Sequence, residues 1–369
     1  MRPVNKGASN PDYTPPTNLT FSGDNGPIMQ KIYSTKSPKL SDCLDLWLAQ
    51  VRGIAYPVLN PPVSTKEMNT ASSVIQNQVN NIYKQASVPL TSRLGDFCSY
   101  CEIPLPGLVE VEHMVPKSQY PTFSCEWSNF LMSCGPCNNT YKKDKPDRAT
   151  VLGWLGGVGP YSEQQYRDEI MNNHYVWPDR NSYSYQLLSN VLYYDKSGTW
   201  TVVTTIDAVN PRNEVVSFDI STRTVVGKFY QGSGLFAPSV TADVKVGIDA
   251  NTSFSPGDQV KANEMIKLCA LNDIGNLDST YDRRVVNRTL TWFKICTAWK
   301  FIDTITTQAQ FDLVWPLIES QARAAGFYSL WVTILNEYKT PSGVNVGAYF
   351  STSVNKNLYF PNTVTTHIP

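Results

Sequence analysis

The sequence is short of net charge, of histidine and of long apolar runs. Its 31 Lys and Arg balance 31 Asp and Glu, so the formal charge is zero. A chain that binds nucleic acid unaided is usually basic, because phosphate contacts supply most non-specific affinity. Without a global positive field, this chain must meet nucleic acid through a local basic patch or receive it from a partner. No stretch reaches the roughly 18 apolar residues of a membrane span, so no membrane association is expected. Met1-Arg2-Pro3-Val4-Asn5-Lys6-Gly7 has no apolar core, so no secretory signal is expected and the cytoplasm is the default compartment. There are only three histidines, His113, His174 and His367. What is present suits an ordered fold of two or three domains: 41% hydrophobic residues, 20 tyrosines and nine tryptophans in 369 positions.

Three regions are expected: an N-terminal arm with helices over 1–90, a motif-bearing module over 91–150, and a C-terminal region over 151–369. Residues 8–39, rich in Pro, Asn, Ser and Thr, read as an extended arm. Ser41 is placed to cap a helix carrying Leu44, Trp47, Leu48 and Val51. Ser64 and Glu67 have capping-box spacing, and Val74, Ile75, Val79, Ile82 and Tyr83 then mark one helical face that Pro89 ends. Glycines 153, 156, 157 and 159 with Pro160 read as a hinge. Residues 183–230 alternate Val, Tyr, Thr and Ile around Lys196-Ser197-Gly198 and predict a small antiparallel sheet. From 257 to 340 the period is helical, with stripes Ala262/Met265/Ile266/Cys269, Val286/Leu290/Phe293/Cys296/Trp299 and Leu330/Trp331/Ile334/Leu335/Tyr338. The expected class is α+β.

Four of the eight cysteines form two Cys-x-x-Cys pairs, Cys98/Cys101 and Cys134/Cys137. Such turns present two sulfurs at the spacing of a tetrahedral zinc, and two pairs complete the set. Free thiols or two local disulfides are the plain alternatives, but redox folds carry one pair rather than two flanking a histidine. Structural Zn²⁺ is the expectation, with Cys125 outside the ligand set.

Between the pairs lies Glu112-His113, a hard oxygen ligand beside an imidazole. Phosphodiester hydrolysis needs an activated water, charge stabilisation on the phosphate and help for the leaving oxygen. A histidine base supplies the first and a divalent cation the others. On a regular strand the two side chains point to opposite faces, so a turn or bulge is needed to bring them together. Asn129 is placed to bond backbone near the base, and Asn138 to offer a second metal oxygen. Lys117, Lys142, Lys143, Lys145 and Arg148 are the candidate phosphate contacts.

These residues resemble the HNH endonuclease family, with its ββα-metal fold: Cys-x-x-Cys, Glu-His-x-x-Pro, Asn-Phe, then Cys-x-x-Cys-Asn with a lysine soon after. The resemblance implies Glu112 and Asn138 as ligands of catalytic Mg²⁺ or Mn²⁺, His113 as base and Asn129 as its orienting group. Two departures stand out: Glu112 where Asp or His is common, and Lys142 four residues after Asn138 rather than three. Asn139 is therefore a rival ligand. The opening heptapeptide, Arg93–Glu102 and Gly326–Trp331 are similar to PtuB-like nucleases of Septu and retron-linked anti-phage systems. That likeness implies DNA cleavage under control of an ATPase partner. An antibacterial nuclease toxin and a non-catalytic zinc-stapled binding module are the rival functions.

Overall fold

The computed structural model describes residues 1–179, 255–273 and 282–363, apart from 3, 36, 55–62, 108, 303, 336–338 and 354. It also describes eight strands between 190 and 247. The architecture is mixed, with helices surrounding small antiparallel sheets.

Four helices open the chain: α1 (Gly26–Tyr33), α2 (Leu40–Arg52), α3 (Thr65–Lys84) and α4 (Ser87–Leu94). The Ser64/Glu67 capping box forms: Ser64 Oγ accepts from the Glu67 amide at 3.3 Å, and Glu67 Oε2 accepts from the Ser64 amide at 2.7 Å. Two start-of-helix groups are thereby satisfied. Ile75, Val79, Ile82 and Tyr83 form the buried stripe of α3. Three boundaries differ from the sequence pattern. Ser41 does not cap α2: it lies in the first turn, after Lys39 at the N-cap position. Pro89 does not end α3, which stops at Lys84; it sits in the first turn of α4, where a missing amide hydrogen costs nothing. The supposed arm contains α1, which begins Gly26-Pro27 and buries Met29 and Ile32. Proline at a helix start is compatible with helix, so composition alone hid this element.

The central module is a two-stranded antiparallel sheet of β1 (Glu110–His113) and β2 (Phe130–Ser133), with His113 opposite Phe130 and Glu112 opposite Leu131. No bulge interrupts the register, so the turn or bulge expected at Glu112-His113 is absent, yet both residues border one cavity. A π-helical turn, Pro136–Lys142, follows β2. β2 is buried throughout, and α4 packs on it.

In the C-terminal region the described strands pair antiparallel. β3 (Asn190–Tyr194) lies between β4 (Trp200–Val203) and a late strand, Lys245–Gly247. β5 (Glu214–Asp219) pairs with β6 (Thr224–Lys228), which pairs with Ser239–Thr241. Strand structure thus runs past residue 230, while Lys196-Ser197-Gly198 lies outside the described residues. Helices α5 (Arg148–Trp154), which contains Gly153 of the expected hinge, and α6 (Glu163–Glu169) follow the central module. After the strands come α7 (Pro256–Leu268), α8 (Arg284–Ile302), α9 (Gln308–Ala325) and α10 (Tyr328–Leu335). Along α8 the buried positions among the described residues are Arg284, Val285, Arg288, Thr291, Trp292, Ile295, Ala298 and Ile302. Leu290, expected in the buried stripe, is only half-buried, and the side chains of Val286, Phe293, Cys296 and Trp299 lie outside the described residues. Trp292, Phe311, Trp315 and Trp331 centre a second core.

This helical region docks on the first Cys-x-x-Cys turn. Gly326 has φ +73°, and a Cβ there would come within 2.5 Å of the Glu102 carbonyl oxygen. Phe327 N and Ser329 N donate to the Glu102 carbonyl and carboxylate at 3.1 and 2.9 Å. Among the described residues, no helix is long and apolar enough to cross a membrane.

Candidate metal centre and adjoining cavity

Cys98 and Cys101 lie on the turn after α4, Cys134 directly follows β2, and Cys137 sits in the π-helical turn. The sheet brings the two turns together through Ser99, whose amide donates to the Met132 carbonyl at 2.8 Å. All four sulfurs are buried and lie within 4.8 Å of one another, so the cluster could hold a metal ion. A tetrahedral ion with metal–sulfur bonds of about 2.3 Å sets sulfurs about 3.8 Å apart; Cys101 and Cys134 are 3.7 Å apart. The four are free cysteines, not disulfides. Burial works to raise the Cys98 thiol, but hydrogen bonds from Cys101, Cys134 and Cys137 hold it well below its ordinary range. The Cys137 thiol is raised, by burial first. Cys125 is buried elsewhere, its carbonyl accepting from Tyr13 Oη at 3.0 Å.

His113 closes β1, with its ring edge-on to Tyr83 at 4.6 Å and to Phe130 at 5.2 Å. Its Nε2 lies 2.9 Å from the Ser124 carbonyl. A carbonyl only accepts, so Nε2 carries the proton and Nδ1 keeps a lone pair. Nδ1 has no protein partner among the described residues. Asn129, fully buried, fastens the surrounding backbone. Its Oδ1 accepts from the Val115 amide at 2.7 Å, and its Nδ2 donates to the Val115 and Phe123 carbonyls at 3.0 and 3.1 Å. The contact at Phe123 sets the position of Ser124, and hence of the imidazole.

Burial pulls the His113 pKa down to about 3. An unfolded imidazole titrates near 6.5, so acid protonates the unfolded chain first. The resulting stability is fully present above pH 6.5 and is lost as pH falls from there through about 3. In metal-free buffer, His113→Phe is expected to flatten the fall in urea midpoint between pH 7 and 4. An unchanged fall would show that another group causes it.

Glu112 and Lys142 form a buried ion pair at 2.7 Å, with Lys142 also donating to the His113 carbonyl at 2.7 Å and Tyr100 Oη donating to Glu112 at 3.3 Å. Burial raises the Glu112 pKa, and Lys142 opposes the rise. Lys142 is fully buried, which corrects its assignment as a phosphate contact. Its spacing after Asn138 places it under the strand instead of at the surface. Removing one partner of a buried pair typically costs about 3–5 kcal/mol, because the other charge is left uncompensated. Lys142→Met is expected to lose that much in urea unfolding, and Glu112→Gln in the same chain to restore most of it. Equal losses in the single and double variants would refute the pairing.

A cavity of about 750 Å³ opens beside this pair, lined by Glu110, Glu112, His113, Asn138, Asn139, Lys117 and Lys143 among others. Asn138 Nδ2 donates to Glu110 at 3.0 Å, and Asn139 Nδ2 donates to both Glu110 oxygens at 2.9 and 3.0 Å. Both amide oxygens remain without a protein partner among the described residues, and carboxylate and amide oxygens are the donors a hard divalent cation takes. Arg148 is spent elsewhere, on Glu163 at 2.9 and 3.0 Å and over the Tyr120 and Tyr166 rings, a second correction to the phosphate contacts. Lys145 is exposed but does not line the cavity. Glu110, Lys84 and Tyr83 line it and were missed. Glu110 was legible in principle: two residues before Glu112, it shares that residue's face of a strand.

No protein-family model, curated protein or solved structure matches this chain.

Proposed function

We propose that this chain is an HNH-type endonuclease that hydrolyses DNA phosphodiester bonds in the bacterial cytoplasm. The observation that carries the proposal is the His113 imidazole, held by Nε2 on the Ser124 carbonyl at a cavity lined by carboxylate, amide and ammonium groups. With Nε2 so occupied, Nδ1 takes the proton of the attacking water. Asn129 positions the base through the backbone it clamps. In this scheme Zn²⁺ in the four cysteines is scaffold. Mg²⁺ or Mn²⁺, held by Glu112 and Asn138 with Glu110 and Asn139 beside them, would stabilise charge on the phosphate and leaving oxygen. Lys117 and Lys143, which line the cavity, would meet the flanking phosphates.

The neutral chain bears on partners. The cavity sets Lys84, Lys117 and Lys143 against Glu110, Glu112 and Asp144, so it has no strong excess of positive charge. Recognition delegated to an ATPase partner in an anti-phage system fits that balance. Purified protein with supercoiled plasmid and Mg²⁺ or Mn²⁺ is expected to produce nicked and linear forms that chelation abolishes, faster when the ATPase is added. Absence of cleavage with either metal, alone and with the partner, would exclude the proposal; cleavage of RNA alone would change its substrate.

A further inference from the structure

Arg284, the first residue of α8, reaches from the C-terminal helices into the cysteine cluster and is 1% exposed. Its Nη1 donates to Cys137 Sγ at 3.2 Å and to the Cys269 carbonyl at 2.6 Å. Its Nη2 donates to Asp282 at 2.7 Å and to the Ala270 carbonyl at 3.1 Å. The guanidinium lies 4.6 Å over the ring of Tyr141, which belongs to the same π-helical turn as Cys137 and Asn138. A divalent ion with four thiolates carries net charge −2, and here that charge would sit where water is excluded. A cation hydrogen-bonded to one of the sulfurs offsets it, and an arginine does so without losing its proton.

We propose that Arg284 is the charge partner of the metal–thiolate centre, setting how tightly the ion is held and tying α8 to it. This rests on reading the four cysteines as a metal centre. As a positioning residue acting on a ligand sulfur, Arg284 belongs to a class whose loss typically weakens metal affinity about 10–100-fold.

The test uses the full chain, stripped of metal under reductant and titrated with Co²⁺, whose thiolate charge-transfer absorbance reports binding, then with competing Zn²⁺. Arg284→Met is expected to weaken Zn²⁺ affinity about 10–100-fold, and Arg284→Lys to recover part of the loss. Asp282→Asn breaks the same ion pair but leaves the cation, so it is expected to keep or exceed the original affinity. If Arg284→Met does not fold, Arg284→Lys against Asp282→Asn decides. Undiminished affinity in Arg284→Met, or in Arg284→Lys where that substitution decides, would overturn the proposal. So would equal losses in Asp282→Asn and the arginine variants, which would indicate packing alone. An unmutated chain that takes up no metal would overturn the metal-centre reading itself, a result distinct from the other two.

Discussion

His113→Ala is expected to reduce metal-dependent plasmid cleavage by about 10²–10⁴-fold, the usual contribution of a positioned general base. The Cys cluster lies outside the changed side chain, so the variant should still carry one structural metal. Some stability will be lost as well. The ring packs on Tyr83 and Phe130, and its removal leaves the Ser124 carbonyl without its donor. Metal content and far-ultraviolet circular dichroism therefore accompany the assay. Cleavage at the original rate by a folded, metal-bearing variant would sink the assignment. His174 does not line the cavity; its Nε2 is 2.8 Å from Glu169 and its ring stacks on Trp154 at 3.7 Å.

Cys137→Ser should produce a different failure. Structural zinc contributes on the order of 10 kcal/mol of folding free energy in small modules, more than most domains have in reserve. Cys137 is fully buried and joins the cluster to the turn that carries Asn138. The variant is expected to lose its metal and the cooperative unfolding of the module, and with them all cleavage. Cys125→Ser is the matched control. It is also buried, but it lies outside the cluster, so metal content should be unchanged. One metal per chain and an unshifted melting curve in Cys137→Ser would refute the centre.

These two variants separate a metal scaffold from the proposed chemistry, and the sequence alone suggests where that division falls. Two Cys-x-x-Cys pairs state their own spacing, and their meeting in one cluster needs only the intervening sheet. The α3 stripe and its capping box were likewise legible, because both depend on residues within two turns of one another. The helical face of α8 was not. Several positions there are apolar on more than one side, and the buried face includes Arg284 and Arg288, which hydropathy places outside.

The lysines and arginines mark the boundary most sharply. Lys117, Lys142, Lys143, Lys145 and Arg148 are equivalent as sequence: exposed-type cations after or within a motif. In the fold, two line the cavity, one is exposed away from it, one neutralises Glu112 and one clamps Glu163. Glu110 and Glu112 divide in the same way, the first bonded to the asparagines and the second to Lys142.

By itself, then, the sequence determined which residue types stand near one another and which local elements they form, since periodicity, caps and ligand spacing act over a few positions. Tertiary structure alone decided what each charge does. A charged group takes its role from whichever opposite charge or sulfur shares its low-dielectric surroundings. Here those partners lie far off in the chain: Lys142 meets Glu112 across 30 positions (142 minus 112) and Arg284 meets Cys137 across 147.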